Sequence, residues 1–187
     1  MTLDFNAITA GAAVVAALVA IYAIWSESKR SRSSQGVELL FRMNDQFNNR
    51  DFRRSRRAAA GFLRKNQICR KSESEVDVNV STESISSVEL DEVLDFFEVL
   101  ATLVRKKLFD NDLTSNYFFY WLDCYYILAQ DYIAFWRQSW PQVWDDIDWL
   151  RRYLIKVENK KANHGYIAPS PESLQIFLND ECDLDVD

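Results

Sequence analysis

Two hydrophobic patterns divide the chain. Residues 5–25, FNAITAGAAVVAALVAIYAIW, form an apolar run without a charged residue. From residue 36 onward apolar residues instead recur every three or four positions, the period of a helix with one buried face. This predicts a helix over 36–47, with Val37, Leu40, Phe41, Asn44 and Phe47 on one side, and a second over 51–65. A third opens at Ser86, where Ser86 and Glu89 have capping-box spacing, and runs to Lys107. Leu90, Val93, Leu94, Phe97, Leu100, Ala101, Val104 and Leu108 form its stripe. Pro141 is expected to begin another helix at or near its first position, reaching Glu158 with Val143, Ile147, Leu150, Leu154 and Val157 inward. Ser170-Pro171-Glu172 starts a short last helix to Leu178. Residues 66–86 are polar and lack helical period over any useful length, so they read as a loop. Residues 179–187 read as an acidic disordered tail.

Between the FDND turn at 109–112 and Pro141 lies NYFFYWLDCYYILAQDYIAFW, Asn116 to Trp136. A membrane span is one reading of so apolar a stretch. Asp123 and Asp131 argue against it. Each costs about 2.5–3.5 kcal/mol near the centre of a span, while each of its Leu, Ile and Phe residues returns only about 0.3–0.6 kcal/mol. On a helix Asn116, Asp123, Gln130 and Arg137 recur every seven residues as one polar line. The stretch is therefore expected to be a central bundle helix whose polar edge meets water or a buried polar network. A platform for stacking flat ligands is the alternative.

The run at 5–25 spans about 31 Å as a helix, close to the hydrocarbon thickness of a bilayer. Tyr22 and Trp25 sit at one end, as in an interfacial belt. A cleaved signal peptide needs a basic start, and the chain begins Met-Thr-Leu-Asp. An uncleaved transmembrane helix is expected, followed by a basic juxtamembrane linker at 26–35. Lys29, Arg30 and Arg32 follow the run and place what comes after it on the cytoplasmic side. Ala12, Ala16 and Ala20 make a row of small residues that would let two such helices pack closely.

Composition narrows the reading further. Four Gly and three Pro in 187 residues leave too few turn formers for an all-β fold. Cys69, Cys124 and Cys182 are far apart, and no CxxC pair occurs, which fits reduced thiols. Residues 29–71 hold 13 Lys/Arg against three acidic residues, while residues 72–187 hold nine against 23. A basic block thus separates the apolar run from an acidic body. In the helix 50–65, Arg56 falls on the apolar stripe of Phe52, Ala59 and Leu63. An arginine aimed at a core must find a carboxylate or carbonyls. Arg56 is therefore expected to pair with an acid from a later helix, in a buried network drawn from Glu98, Asp123 and Gln130. Arg53, Arg54 and Arg57 face away and could, with Lys29, Arg30 and Arg32, hold anionic lipid headgroups. Without a reader motif, nucleic acid ranks behind lipid as their ligand.

No catalytic constellation emerges. His164 is the single histidine, and neither GxGxxG nor GxxxxGK[ST] occurs. Asp91, Asp95 and Glu98 share one helix face and Asp145, Asp146 and Asp148 open another. The Glu-x-x-His partners of a bundle metal site are missing, so no metal, cofactor or enzymatic activity is expected.

FRMNDQFNNRDFRRSRRAAAGFL, VELDEVLDFFEVL, YFFYWLDCYYILAQDYI and WRQSWPQVWDDIDWL together resemble an uncharacterised bacterial family of small, membrane-anchored helical proteins. The DFFE block, Asp95 to Glu98, and the P-x-x-W-x-x-x-x-W-L block from Pro141 are the most specific pieces. The likeness covers 37–155 and departs at RKKLFDND, where a glycine would be expected. It implies an all-α fold and a bacterial inner-membrane setting, and no activity. The combined expectation is an all-α protein: a transmembrane helix at 5–25, then a cytoplasmic helical bundle of four to five helices over 36–178. Its expected role is a binding or regulatory module for an unidentified protein partner. One alternative is a membrane effector, in stress or phage defence, forming homo-oligomers through its span. The other is a lipid or nucleic-acid binder acting through 50–65.

Overall fold

The computed structural model describes residues 35–73, 86–161 and 165–185, with the side chains of 67–73 outside the description. Seven helices and no strand occur among the described residues. They are α1 (35–48), α2 (Arg50–Glu73), α3 (Val88–Arg105), α4 (Asn111–Leu128), α5 (Gln130–Arg137), α6 (Asp145–Lys161) and α7 (Pro171–Cys182). Among these residues no helix is long and apolar enough to cross a membrane. The apolar run at 5–25, with Ala12, Ala16 and Ala20, lies outside the described residues, as do Lys29, Arg30, Arg32 and His164.

The helices α1 and α2 follow one another along α3, interrupted at Asn49, whose side chain accepts from the Phe52 backbone N–H at 2.7 Å. Phe47 and Phe52 flank this break and both meet Phe96, with ring centroids 5.1 Å away. Further along, Ser55 donates to Glu92 at 2.5 Å, so α2 runs antiparallel to α3. At the other end Gly36 lies against the α3–α4 turn. A Cβ there would stand 1.9 Å from the Leu108 carbonyl oxygen, so the close approach requires glycine. The core is aromatic: Phe47, Phe97, Phe118, Tyr125 and Phe177 are almost fully buried, with Leu90, Leu94, Leu100, Leu122, Ile147 and Leu150 around them.

Element boundaries differ from the sequence reading in five places. The helix α2 continues to Glu73, beyond the expected boundary at 65 and through the first residues of the expected 66–86 loop. Ser87, not Ser86, caps α3: its hydroxyl accepts from the Leu90 N–H at 3.2 Å and donates to Glu89. The expected single aromatic helix is two, α4 and α5, separated at Ala129. Pro141 does not start α6. Residues 141–144 turn instead, ending in Trp144 with φ 54°. Arg137 holds that turn by donating to the carbonyls of Val143 and Trp144, both at 3.0 Å. The indole N–H of Trp144 donates to Asp95 at 2.8 Å. Finally, the expected disordered tail at 179–187 begins inside α7, which runs to Cys182 and buries Glu181.

Candidate functional site

Two polar clusters lie inside the bundle, on opposite sides of α4. The deeper one is built on Arg56. Alternation along α2 sets Arg56 between the buried Ala59 and Ala60 on one side and Phe52 on the other, and it is only 2% exposed. Its guanidinium lies 4.1 Å from the centre of the Phe47 ring and 5.8 Å from that of Trp121. It donates to the Phe47 carbonyl at 3.2 Å and forms a two-point contact with the Glu181 carboxylate, Nε to Oε2 at 2.8 Å and Nη2 to Oε1. Tyr125 donates its hydroxyl to the same carboxylate at 2.7 Å. The planar fork meets both carboxylate oxygens, the phenol adds a third hydrogen bond to the carboxylate, and the Phe47 carbonyl takes a third from the guanidinium, so both buried charges are paired and hydrogen-bonded. A cleft of about 420 Å³ opens beside it, lined by Arg53, Tyr120, Trp121, Phe177 and Asp180 among others.

The second cluster is the polar line of the aromatic stretch, and it faces α6. Asp123 is 2% exposed. It accepts from Arg151 Nε at 2.6 Å and from the Tyr166 hydroxyl at 2.7 Å, while Arg151 also donates to Tyr166 at 3.1 Å. Two helical turns away, Asn116 accepts from Lys161 at 2.9 Å. Beyond Ala129, Arg137 bonds to Asp148 at 2.8 Å. Three of the four residues on the line thus meet α6, and its antiparallel course along α4 follows from those pairings. Gln130, the fourth, is exposed at the edge of a shallow cleft with Tyr126, Ile133 and Arg137.

The network expected around Arg56 is therefore divided. Arg56 takes Glu181 rather than Glu98 or Asp123. Glu98 instead accepts from the backbone N–H of Ile147 at 3.1 Å and of Asp146 at 3.4 Å, satisfying the start of α6 from outside. Burial, and then the neighbouring Asp146 and Asp145, push its carboxyl up, against the pull of those two N–H bonds. Of the outward arginines, Arg53 is tied to the carbonyls of Asn48 at 2.7 Å and Asp185 at 3.2 Å. Arg54 and Arg57 are exposed, Arg54 loosely paired with Asp51 at 3.6 Å. The sequence reading missed Glu181, Tyr125, Arg151 and Tyr166. A signal existed for the first. Continuing the helical period of Leu174 and Phe177 past Leu178 puts Glu181 on the same face, which only an internal cation can accommodate.

Two phenols and a thiol beside these clusters are held in their neutral forms. Burial, then the charge and hydrogen bond of Glu181, push the Tyr125 hydroxyl well above its ordinary range. Burial, followed by Asp123 and Glu181, pushes the Cys124 thiol up to about 12. Burial and then the bond to Asp123 push Tyr166 up to about 12. A thiol so placed is a poor nucleophile at neutral pH. Asp91, Asp95 and Glu98 bond respectively to Tyr132, to Trp144 and to the α6 backbone. Among the described residues no group of three or more His, Cys, Asp and Glu is placed to hold a metal ion. The Arg56 guanidinium is thus fixed in orientation between the Phe47 and Trp121 rings and engaged with a carboxylate.

No curated protein and no solved structure matches the chain. A family model matches residues 10–153, and on that match the chain belongs to the family described as a domain of unknown function, DUF4760.

Proposed function

We propose that the protein is a membrane-anchored binding and regulatory module, held at the bacterial inner membrane by residues 5–25, with its helical domain in the cytoplasm. The uncharged run at 5–25 carries this reading. The family match begins at residue 10, within that run, which supports treating the run as part of the domain and not as an addition to it. Lys29, Arg30 and Arg32 support the cytoplasmic side through the positive-inside bias. The way the interior polar groups are used supports binding over catalysis: Arg56, Asp123, Arg137 and Glu98 all hold helices together.

Exposed Arg54 and Arg57 could add contact with anionic headgroups. The 14 helical residues of 35–48 extend about 21 Å, so that contact requires the bundle to lie along the bilayer. The row Ala12, Ala16 and Ala20 favours a second reading, an effector that assembles through its span.

Carbonate extraction of membranes from cells making the full chain tests the anchor. The protein should stay in the pellet, and release into the supernatant would sink the proposal. Protease treatment of spheroplasts should leave the helical domain intact. In-membrane crosslinking should then capture a protein partner. If Ala16→Leu abolishes both self-association and a cellular effect, the effector reading replaces the regulatory one.

A further inference from the structure

The helix α7 packs on the domain along one face, chiefly against α2. It lies beyond the family match, which ends at residue 153, yet it fills a groove on residues inside that match. It is reached through 165–170, which contains no helix. A single strip attaches it: Phe177, Leu178 and Glu181 are buried, Leu174 and Cys182 half-buried, and every other residue of the helix is exposed. Phe177 meets Tyr125 edge-on at 5.1 Å and Tyr120 at 5.7 Å. Glu181 enters the Arg56 fork.

Several contacts that shape the receiving side do not involve α7. The Phe47 carbonyl and ring from α1 orient the Arg56 guanidinium, and the Tyr125 hydroxyl also reaches the Arg56 carbonyl at 3.2 Å. A guanidinium fixed in this way reads a carboxylate by its planar, two-point geometry. A helix of 12 residues is marginal by itself in water, so α7 forms as it docks. Its attachment includes a buried ion pair, which contributes geometry more than strength. A removable occupant has these properties.

We propose that α7 is the intramolecular occupant of a helix-binding groove between α2 and α4. The groove also takes, in trans, an amphipathic acidic helix from a partner protein that presents an aromatic residue, a leucine and a glutamate at the spacing of Phe177, Leu178 and Glu181. This is helix-in-groove recognition with a charged anchor. The helix α7 sets the availability of the groove, since a ligand's apparent affinity falls by the fraction of molecules with the groove open. The inference rests on the binding-module reading above and is independent of the membrane anchor.

The test uses the detergent-solubilised full chain and, as probe, a fluorescein-labelled peptide of residues 169–185. In the unmodified chain, α7 amides should exchange with solvent at least tenfold faster than those of α3 and α4. Phe177→Ser/Leu178→Ser should eject α7 and bind the peptide at least tenfold more tightly than the unmodified chain does. A peptide carrying Glu181→Gln should lose at least tenfold of that affinity. Three results would each overturn the proposal. The amides of α7 could exchange together with α3 and α4. The double variant could lose protection in α3 and α4, making α7 integral to the fold. Or the variant could keep that protection and fail to bind the peptide. Any of these would leave partner capture by crosslinking unaffected, whereas an empty crosslinking result with normal peptide binding would count against the regulatory role.

Discussion

Replacing Glu181 with Ala isolates what the buried ion pair does. Arg56 and Glu181 are 2% and 3% exposed, so neither charge is near bulk water while α7 is docked. Removing one partner of such a pair costs about 3–5 kcal/mol, because the other charge remains buried and unpaired. The Phe47 carbonyl at 3.2 Å offsets only part of this. Against it stands what holds α7 down, chiefly Phe177 and Leu178, at about 1.5–3 kcal/mol each before the entropy of ordering the helix is counted. The two magnitudes are of the same size. Glu181→Ala should therefore release α7, let Arg56 reach water, and leave α2 to α6 folded.

Arg56→Met/Glu181→Leu should restore docking, since exchanging a buried pair for apolar residues of similar volume is neutral or stabilising by about 1–4 kcal/mol. The Tyr125 hydroxyl would keep the carbonyl of residue 56 as acceptor. Hydrogen exchange with site resolution reads this directly. In Glu181→Ala the α7 amides should lose at least tenfold in protection while those of α3 and α4 change little, and in the double variant α7 protection should return. If the single variant keeps α7 protected within about twofold of the unmodified chain, the account of the pair is wrong. It is equally wrong if the double variant is no better than the single.

Three further outcomes follow from the other polar contacts. Asp123→Asn removes the negative charge beside the Tyr166 hydroxyl and Arg151 and leaves one acceptor oxygen where there were two. The Tyr166 hydroxyl should fall from about 12 toward 10, seen in the pH dependence of its ring-carbon resonance, and an unmoved resonance would contradict the assignment. Ser115 donates to Glu158 and is the main reason its carboxyl lies below the ordinary 4.5. A lowered folded-state value adds stability above pH 4.5 that is lost as pH falls through the folded value. Ser115→Ala should move the Glu158 carboxyl up toward 4.5 by NMR titration and flatten that acid slope. Cys124, buried and pushed up to about 12, should resist iodoacetamide at pH 8 in the native protein and react once it unfolds. Rapid native alkylation, located by mass spectrometry, would contradict its placement.

Legibility followed the range of the interaction. Arg56 stood out because a charge on the stripe of Phe52, Ala59 and Leu63 breaks a local pattern, and Asp123 stood out for the same reason among aromatic residues. Their partners did not. Glu181 lies 125 residues from Arg56, in a segment whose acidic composition resembles a solvated tail. Arg151 sits among the charged residues of α6, and Tyr166 in the segment between α6 and α7. The break at Ala129 had no Gly or Pro to announce it. Pro141 announced a helix start that the clamp of Arg137 on the following turn displaces to Asp145.

The sequence by itself determined that the described chain is helical and which face of most helices turns inward, because period and propensity act between residues three or four positions apart. It also singled out Arg56, alone on an apolar stripe, as a charge that would lie inside, and left open whether the polar line through Asp123 met water or a buried network. Only the tertiary structure decided which charges meet, where α5 and α6 begin, and that the last helix closes over Arg56. Those outcomes depend on which groups are brought together as water is excluded, and a buried carboxylate is tolerated only where a cation and its hydrogen-bond donors already converge.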